Sequence, residues 1–430
     1  MIFFIYQLFT SILLIFSPLI ILYRLLNNKE DKLRVKEKFC LPSKLRGNGK
    51  LIWFHGSSVG EIMSIIPIIK RYDKDKSINK ILITSSTLSS SKILTRIKFK
   101  KTVHQFYPID HFFFSNKFLN YWKPSAAIFI ESEIWPSMFR SVKNKGIPLI
   151  LLNARITEKT SNRWSLIKSF SESIFDLIDI AYPQNLETKK FLKKLKVKNI
   201  KSIGNLKFIK NDDSKYDKID KKLFSQFKKY KTFVAASTHN SEEIFAAKTH
   251  ILLKKKNKNL ITIIIPRYIG RVNQIYNQMK EFKLNTVLRS SKNKKLKNID
   301  IFIVDTFGES KKFYKIATTV FLGKSIIKKE DLASLGGGGQ NPLEPARFGA
   351  KILHGPNVDN FKEVYEYLNS LKISSKVNSV IECANSTIFK KNIRKVKKME
   401  TLGRTILKKT LKELDKSINN EIKKTQILGL

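Results

Sequence analysis

Residues 51–61 read LIWFHGSSVGE, and this stretch decides the fold. Its first five residues form an apolar run typical of a buried parallel strand, and the small residues after it predict a tight turn. Apolar residues then recur at helical spacing from Ile62, so a helix should begin near Gly60. Glu61 therefore lies at the carboxyl end of a strand, where open α/β sheets bind ligands. A carboxylate at a helix start is normally ionised and can accept a proton from an alcohol, although acidic residues also occupy helix starts for structural reasons alone.

Similar strand–helix units repeat along two parts of the chain. The first part contains six candidate strands, at 51–55, 81–85, 126–130, 148–153, 177–181 and 200–203. The second part contains six more, at 232–236, 261–265, 285–288, 301–304, 318–322 and 351–353. Because strands that alternate with helices form parallel, doubly wound sheets, the fold class is α/β with two Rossmann-like domains.

Composition sets the expected domain limits. At 430 residues the chain is too long for one ordinary core, and a polar, lysine-rich segment in its middle indicates a linker. The stretch at the C-terminus is helical and very basic, and it either packs across the first domain or lies along a membrane. The expected divisions are an anchor at 1–26, a first domain at 27–206, a linker at 207–230, a second domain at 231–387 and basic C-terminal helices at 388–430.

The N-terminus indicates a membrane-associated protein. Residues 2–26 are nearly all apolar, which is enough to cross about 30 Å of hydrocarbon as a helix. Basic residues follow from Arg24 to Lys38, so by the positive-inside rule the rest of the chain lies in the cytoplasm. Pro18 and the scattered polar residues leave a helix lying in the membrane interface as the alternative.

Charge and cysteine content limit the classes of function. The net charge of +47, from 82 basic and 35 acidic residues, fits an anionic partner, but lysines spread over every segment also reflect composition alone. The 42% hydrophobic content is ample for packed cores and excludes a disordered protein. The two cysteines, Cys40 and Cys383, and the six histidines show no ligand spacing, which excludes a disulfide framework and predicts no metal site.

Charged residues follow other predicted strands as well. We interpret Glu131 as a functional carboxylate and Glu133 as a cap of the next helix. Lys207 lies at the expected domain junction, and Arg267 ends a buried strand, where its guanidinium suits a phosphate or a carboxylate. The turn at 237–241 precedes a helix and offers backbone N–H groups to an anion.

A glycine run at 336–339 precedes Asn341 and Pro342. Glycines let a backbone approach a ligand closely, Asn341 suits an N-cap, and Pro342 suits the first helical position. Because the run leads directly into a helix start, we interpret it as a ligand-binding loop rather than a flexible connection.

These motifs together resemble the bacterial 3-deoxy-D-manno-oct-2-ulosonic acid (Kdo) transferases that act on lipid IVA, glycosyltransferase family 30. The resemblance extends from the N-terminal segment to about residue 365 and keeps the family's motif order. The matching motifs are HGSSVGE at 55–61, ESEIWP at 131–136, NAR at 153–155, GNLK at 204–207, ASTH at 236–239, PR at 266–267, DTFGE at 305–309 and NPLEP at 341–345.

The resemblance implies a GT-B fold, with an acceptor-binding first domain and a donor-binding second domain that face each other across a cleft. It implies inverting transfer of Kdo from CMP-Kdo to a lipid A precursor, with release of CMP and without a metal or cofactor. Glu61 would be the proton acceptor, and Glu131 and Lys207 would stabilise the transition state. Nine residues would hold the CMP part of the donor: Pro266, Arg267, Phe307, Gly308, Glu309, Asn341, Pro342, Leu343 and Glu344.

The same resemblance implies the location and the partners. The protein would act at the cytoplasmic face of the bacterial inner membrane, held by a single N-terminal anchor, and would contact CMP-Kdo, the lipid A precursor and anionic lipids, but no nucleic acid. The chain departs from the family pattern at Gln340, where a His is expected, at Phe307, where a Met is expected, and at 328–335, which is longer than the usual loop.

Two alternatives remain open at the level of sequence. One is another membrane-associated GT-B glycosyltransferase that uses a different nucleotide sugar and lipid acceptor. The other is a membrane-tethered protein that binds polyanions, which the charge suggests but no recognisable nucleic-acid module supports.

Overall fold

The protein divides into two compact units. The computed structural model describes residues 2–210, 221–291, 296–327, 330–331, 335 and 337–427. The first unit comprises Met1–Asn211 together with Leu402–Leu430, and the second comprises Asp212–Thr401. The central part of the expected linker and most of the segment at 328–335 lie outside the described residues, as does Gly336.

The first unit is built on a parallel six-stranded sheet in the order β3-β2-β1-β4-β5-β6. This is the strand order of a Rossmann-type doubly wound sheet, whose topological switch point lies between β1 and β4. The strands are β1 Leu51–His55, β2 Lys80–Ser85, β3 Thr102–Phe106, β4 Ala126–Ile130, β5 Leu149–Ala154 and β6 Ile180–Pro183. All residues of β1 and β4 are buried, as expected for strands covered on both faces.

Helices and a mixed aromatic–aliphatic core cover this sheet. Trp53 packs with its ring centroid 4.8 Å from that of Phe118 and 5.1 Å from that of Phe129, and each such buried side chain contributes roughly 1.5–3 kcal/mol. The described helices are α1 Ile2–Leu26, α2 Val59–Tyr72, α3 Leu88–Thr95, α4 Phe112–Trp122, α5 Pro136–Asn144, α6 Glu158–Ser165, α7 Lys168–Phe175 and α8 Leu186–Lys194, with 3₁₀ turns at Val35–Phe39 and Leu206–Phe208.

The second unit contains a parallel seven-stranded sheet in the order β13-β12-β11-β7-β8-β10-β9. Its strands are β7 Lys231–Thr238, β8 Leu260–Pro266, β9 Thr286–Leu288, β10 Ile301–Ile303, β11 Thr319–Leu322, β12 Lys351–His354 and β13 Ser374–Lys376. Its described helices are α9 Lys221–Phe227, α10 Glu242–Lys256, α11 Val272–Glu281, α12 Ser310–Tyr314, α13 Leu343–Ala346, α14 Lys362–Ser370 and α15 Val380–Ser386, and α16 Ile393–Ile427 follows them.

The C-terminal part of α16 packs on the first unit. Tyr72 donates a hydrogen bond to Asp415 (2.9 Å), and the hydroxyls of Tyr182 and Ser417 lie 2.8 Å apart. A Cβ on Gly403 would lie 2.5 Å from the carbonyl oxygen of Phe208, so the helix approaches the backbone there as closely as glycine permits. Of the two positions open for this helix at the level of sequence, the structure shows packing on the first unit.

The helix α1 also belongs to the first unit. Phe3 and Tyr6 pack on Phe170, and the Tyr6 hydroxyl donates to Asp110 at 2.7 Å. The outward face exposes large apolar side chains, and Phe3–Leu26 is the span among the described residues that is long and apolar enough to cross a membrane, with a mean hydropathy of 2.1.

Two predicted strands differ from the observed ones. The strand expected at 177–181 begins at Ile180, and the one expected at 200–203 is reduced to a single bridge between Ala181 and Ile200. Two observed strands were not predicted: β3, an edge strand of the first sheet, and β13, an edge strand of the second sheet.

Candidate active site

Glu61 lies one turn into α2, directly beyond the carboxyl end of β1. Ser58 is the N-cap of this helix, and Glu61 completes a capping box. The Glu61 carboxylate accepts from the backbone N–H of Ser57 (2.7 Å) and from the Ser58 hydroxyl (2.8 Å). Glu61 therefore has the structural role of a first-turn helix residue. The same hydrogen bonds fix the direction of its carboxylate, so this role is compatible with a chemical one.

The surroundings of Glu61 change its acidity. Burial first, and then the negative charges of Glu133 and Glu131, raise the pKa of this carboxyl to about 7, against the lowering effect of the hydrogen bonds from Ser58. The helix start was expected to favour the ionised form of this group, and burial and the neighbouring carboxylates oppose that effect of the helix N-terminus. A carboxyl with a pKa near the working pH has the acidity suited to a general base.

Glu131 and Lys207 form a buried ion pair on the other side of the switch point. Their Oε1 and Nζ atoms lie 3.0 Å apart, and their side chains are only 8% and 15% exposed. Asn153, at the end of β5, donates to Glu131 (3.4 Å) and accepts from the backbone N–H of Leu206 (2.9 Å). Asn153 thereby connects the turn that carries Lys207 to the strand end that carries Glu131.

The backbone is strained at this edge of the sheet. Glu131 has a φ of 56° and Asn153 has a φ of 52°, in the left-handed region that costs a residue such as glutamate roughly 1 kcal/mol or more. Such conformations persist where the surrounding structure holds them, and they concentrate at functional sites.

Glu133 does not cap α5, and this correction changes its role. The N-cap of α5 is Trp135, and no side-chain hydrogen bond caps this helix. Glu133 instead turns toward β1, where it accepts from His55 Nε2 (3.0 Å), from Ser57 Oγ (2.5 Å) and from Trp135 Nε1 (2.9 Å). Burial raises the pKa of Glu133, but these donors together bring it below its ordinary value.

In the second unit, two of the residues that were predicted to bind the CMP part of the sugar donor lie at the end of β8. Pro266 is the last, buried residue of this strand, and the exposed Arg267 follows it and donates its backbone N–H to the carbonyl of Thr238 (2.9 Å). Because β8 pairs with both β7 and β10, Arg267 lies at the same edge of the sheet as the turns that follow those strands.

The turn after β10 contains three further residues that were predicted to bind the CMP part of the sugar donor. Phe307 is 90% exposed, and Gly308 has a φ of 80°, a conformation that favours glycine. Glu309 pairs with Arg289 (3.0 Å) and with Lys312 (2.6 Å). Burial raises the pKa of Glu309, but these cations and the Thr306 hydroxyl keep it below its ordinary value.

The predicted residues Asn341, Pro342, Leu343 and Glu344 form the start of the short helix α13. Asn341 accepts from the backbone N–H of Leu343 (3.0 Å), as a capping residue does. The N-cap position itself is Pro342 rather than Asn341, because the helix begins one residue later than predicted, at Leu343. Leu343 is buried, and Glu344 is partly exposed.

The N–H group of His239, in the turn at 237–241, is bonded to a carboxylate of the protein itself rather than open to an external anion. The carboxylate of Glu242 occupies that position, where it accepts from the backbone N–H groups of His239 (3.0 Å), Lys324 (2.7 Å) and Ser325 (3.0 Å). A Cβ on Gly323 would lie 2.6 Å from this carboxylate, so glycine is required there. The chain's own side chain therefore joins the ends of β7 and β11.

A cation that the sequence analysis missed lies beside Arg267. Lys324 follows β11, and its pKa is lowered by burial and by the charge of Arg267. Lys324, Arg267 and Arg271 also each lower the pKa of His239, after burial. One lysine among so many carries no signal in the sequence, and only the strand order of the sheet brings it to this edge.

Each unit thus gathers its own predicted residues. Glu61, Glu131 and Lys207 meet at the switch point of the first sheet, and the predicted donor residues are carried by the second unit. Among the described residues, no group of three or more His, Cys, Asp or Glu side chains is placed to hold a metal ion.

Two doubly wound parallel sheets with charged groups at their strand ends define the GT-B class of fold. A solved structure of UDP-GlcNAc 2-epimerase from Neisseria meningitidis bound to UDP-GlcNAc is similar in fold, with a TM-score of 0.53 at 12% identity over 86% of this chain and 100% of that chain. The predicted fold class is confirmed.

The family follows from sequence comparison. Residues 33–210 match the family profile "3-Deoxy-D-manno-octulosonic-acid transferase (kdotransferase)". The chain is 32% identical over 381 residues to the 3-deoxy-D-manno-octulosonic acid transferase of Rickettsia bellii, covering 88% of both chains. It is 28% identical over 391 residues to that of Haemophilus influenzae, covering 88% of this chain and 89% of the relative. The chain belongs to the Kdo transferase family and is a glycosyltransferase, which confirms the resemblance.

Proposed function

We propose that this protein transfers Kdo from CMP-Kdo to a lipid A precursor, lipid IVA, and releases CMP. The observation that carries the proposal is the position of Glu61, a carboxyl with a pKa of about 7 beside the Glu131–Lys207 pair, in a chain of the Kdo transferase family. The family favours this reading over a glycosyltransferase with another nucleotide sugar and over a polyanion-binding protein.

Glu61 is the proposed general base. The attacking hydroxyl of the acceptor loses its proton as it bonds to the sugar, and a carboxyl of this acidity can take that proton near neutral pH. The hydrogen bonds from Ser57 and Ser58 keep the carboxylate in one orientation, so little reorganisation is needed when the hydroxyl arrives.

Glu131 and Lys207 are the proposed stabilisers of the transition state. As the bond to the leaving phosphate breaks, positive charge develops on the sugar ring and negative charge on the phosphate. A carboxylate and an ammonium held 3.0 Å apart in a water-poor site act more strongly on such charges than they would in water, and their positions are fixed in advance.

The second unit is the proposed donor-binding domain, and the first unit binds the acceptor. Arg267 and Lys324, at the ends of β8 and β11, the two strands that flank β7, suit the phosphate of CMP. The turn Phe307–Gly308–Glu309 and the segment Asn341 to Glu344 would hold the rest of the nucleotide, with Glu309 fixed for this purpose by Arg289. No metal or cofactor is required for this transfer.

The helix α1 is proposed to attach the protein to the cytoplasmic face of the inner membrane, where anionic lipids meet its basic surface. Phe3 and Arg24 are separated by about 32 Å along the helix axis, yet both ends are tied to the first unit: Phe3 packs on Phe170, and Arg24 pairs with Glu30 at 2.6 Å. Of the two arrangements left open by the sequence, these contacts support a helix that lies in the membrane interface.

The experiment is a transfer assay with CMP-Kdo and lipid IVA that compares wild type with Glu61→Gln. Glutamine keeps an oxygen that can accept the bond from Ser57 but cannot take a proton, so we expect a loss of roughly 10²-fold or more. Trp fluorescence checks the fold of the first unit, which contains all four tryptophans of the chain, Trp53, Trp122, Trp135 and Trp164.

Two results would contradict the proposal at different points. Equal rates for wild type and Glu61→Gln would leave the transferase reaction standing and remove Glu61 as its base. If folded wild-type protein transfers a sugar from a UDP-linked donor and none from CMP-Kdo, the proposed donor is wrong and the alternative glycosyltransferase is favoured.

A further inference from the structure

Glu61 and Glu133 are linked through one residue, Ser57. The backbone N–H of Ser57 donates to Glu61 at 2.7 Å, and its hydroxyl donates to Glu133 at 2.5 Å. The carbonyl oxygen of Ser57 accepts hydrogen bonds from the hydroxyls of Thr87, the N-cap of α3, at 3.2 Å and of Ser90, within α3, at 3.1 Å. These bonds hold Ser57 in place. A change in the position of either carboxylate therefore moves Ser57 and changes the hydrogen bond of the other carboxylate.

His55 fixes Glu133 from the opposite side, and the hydrogen bonds around it define its tautomer. His55 Nδ1 lies 2.9 Å from the hydroxyl of Thr84, which also accepts from Trp53 Nε1 (2.9 Å), and 3.3 Å from the Thr84 carbonyl oxygen. Because the pKa of Glu133 is lowered and an ionised carboxylate can only accept, Nε2 carries a proton and donates it to Glu133 at 3.0 Å. Burial lowers the pKa of His55 against the raising effect of Glu133, which favours a neutral imidazole as this donor.

The result is a fixed negative charge beside the proposed base. One oxygen of Glu133 accepts from His55, Ser57 and Trp135, and hydrogen bonds to a carboxylate favour its ionised form. His55 is also held by stacking on Tyr107, with ring centroids 3.9 Å apart. Neither the motif resemblance nor the capping interpretation assigns Glu133 any part in the reaction.

We propose that Glu133 is a positioning residue for Glu61, which orients the Glu61 carboxylate through Ser57 and strengthens it as a base through its own charge. This inference rests on the proposed role of Glu61. The physical reason is that a nearby negative charge disfavours a second one, so Glu61 binds the acceptor's proton more readily while Glu133 remains ionised.

The sign of the effect follows directly. The active form of Glu61 is deprotonated, so kcat/KM of the wild type should rise with pH and level off above about pH 7. Without the charge of Glu133, the pKa of Glu61 falls. The acid limb of the profile should then move to lower pH, and the plateau rate should fall because a weaker base remains.

The test is the pH profile of kcat/KM for CMP-Kdo and lipid IVA in three variants. For Glu133→Gln we expect the acid limb to move down by about one pH unit and the plateau to fall by roughly tenfold. Ser57→Ala breaks the link without removing a charge, so it should lower the plateau and leave the acid limb near its wild-type position.

Asp110→Asn is the matched control, because Asp110 is a buried carboxylate of the same unit that accepts from Tyr6 and from the backbone of α5. It should reduce stability without moving the acid limb. Trp fluorescence and CMP binding confirm the fold of each variant.

The inference is overturned if folded Glu133→Gln keeps the wild-type acid limb. Should Glu133→Gln not fold, an unchanged plateau in Ser57→Ala overturns it instead. Either result alongside an inactive Glu61→Gln would leave the proposed function standing. Full activity of Glu61→Gln would instead remove the base on which the inference rests.

Discussion

The Glu131–Lys207 pair shows how charge is held at this site. Taking either charge out of water costs several kcal/mol, which is recovered only while both partners are present. Lys207→Met should therefore lower the free energy of unfolding of the first unit by about 3 kcal/mol, because Glu131 stays buried without its cation. Urea unfolding followed by Trp fluorescence measures this, since every tryptophan lies in that unit.

A double variant separates the structural contribution of the pair from its chemical one. Glu131→Gln with Lys207→Met removes both charges, so most of the lost stability should return while transfer stays at least roughly 10²-fold below wild type. Lys198→Met is the control, because its pair with Asp176 has side chains 69% and 46% exposed and should change stability by less than about 1 kcal/mol. Equal activity of the double variant and wild type would contradict the role proposed for the pair.

The sequence motifs located the proposed catalytic residues, but they did not indicate contacts that form only when distant parts of the chain fold together. The resemblance singled out Glu61, Glu131 and Lys207, which meet at one edge of the sheet. The bond from His55 to Glu133 joins residues 78 positions apart, and the other ring nitrogen of His55 contacts Thr84 on a neighbouring strand. Neither residue spacing nor helix propensity contains that information, so the sequence pattern favoured Glu133 as a cap of the next helix.

The close packing of helix α16 on the first unit can be tested at Gly403. Ala is favoured over Gly inside a helix by roughly 1 kcal/mol, but a Cβ at position 403 would meet the Phe208 carbonyl oxygen at 2.5 Å. The backbone of that turn must shift, so we expect Gly403→Ala to destabilise the first unit by roughly 1–3 kcal/mol. Unfolding followed by Trp fluorescence gives the value.

Gly60→Ala is the matched comparison, since Gly60 also lies in a helix of the first unit. Among the described residues, and apart from its chain neighbours and the backbone of its own helix, its added Cβ would have only the Ser58 hydroxyl within 4 Å, at 3.9 Å. This variant should leave stability unchanged or raise it by up to about 1 kcal/mol. If both glycine variants were equally stable, the close contact between α16 and the turn at Phe208 would be wrong.

The elements that the sequence predicted well are those with continuous apolar runs. β1, β4 and β8 are such runs, and all of them are buried parallel strands. β3 reads TVHQF, and its polar residues hid it from the pattern. In the structure His104 is satisfied by tertiary contacts, 2.9 Å from the Ser85 hydroxyl and 3.1 Å from the Arg34 guanidinium. Those partners lie on other elements, so local sequence does not indicate the strand.

At the scale of the whole molecule, α1 poses a question of topology. The basic residues after α1 predict a cytoplasmic catalytic body, and a spanning helix would carry its N-terminus to the opposite side of the membrane. In the structure, Tyr6 donates to Asp110 and Ser11 contacts His111 at 3.1 Å. The N-terminal half of the helix thus packs against the first unit, so we expect the N-terminus on the same side of the membrane as the catalytic body.

A protease-accessible epitope added before Met1 distinguishes these arrangements in cells. If α1 lies in the interface, protease added to intact spheroplasts should leave the epitope intact, and protease added to inside-out vesicles should remove it. The same epitope after Leu430 is the control for the side on which the catalytic body lies. Phe9→Asp, at a 58% exposed position of α1, should weaken binding to vesicles that contain anionic lipid and leave the unfolding of the first unit unchanged, because Phe9 faces away from it. Removal of the N-terminal epitope in intact spheroplasts would instead establish a spanning helix, and it would show that the contact of Tyr6 with Asp110 does not form in the membrane-bound protein.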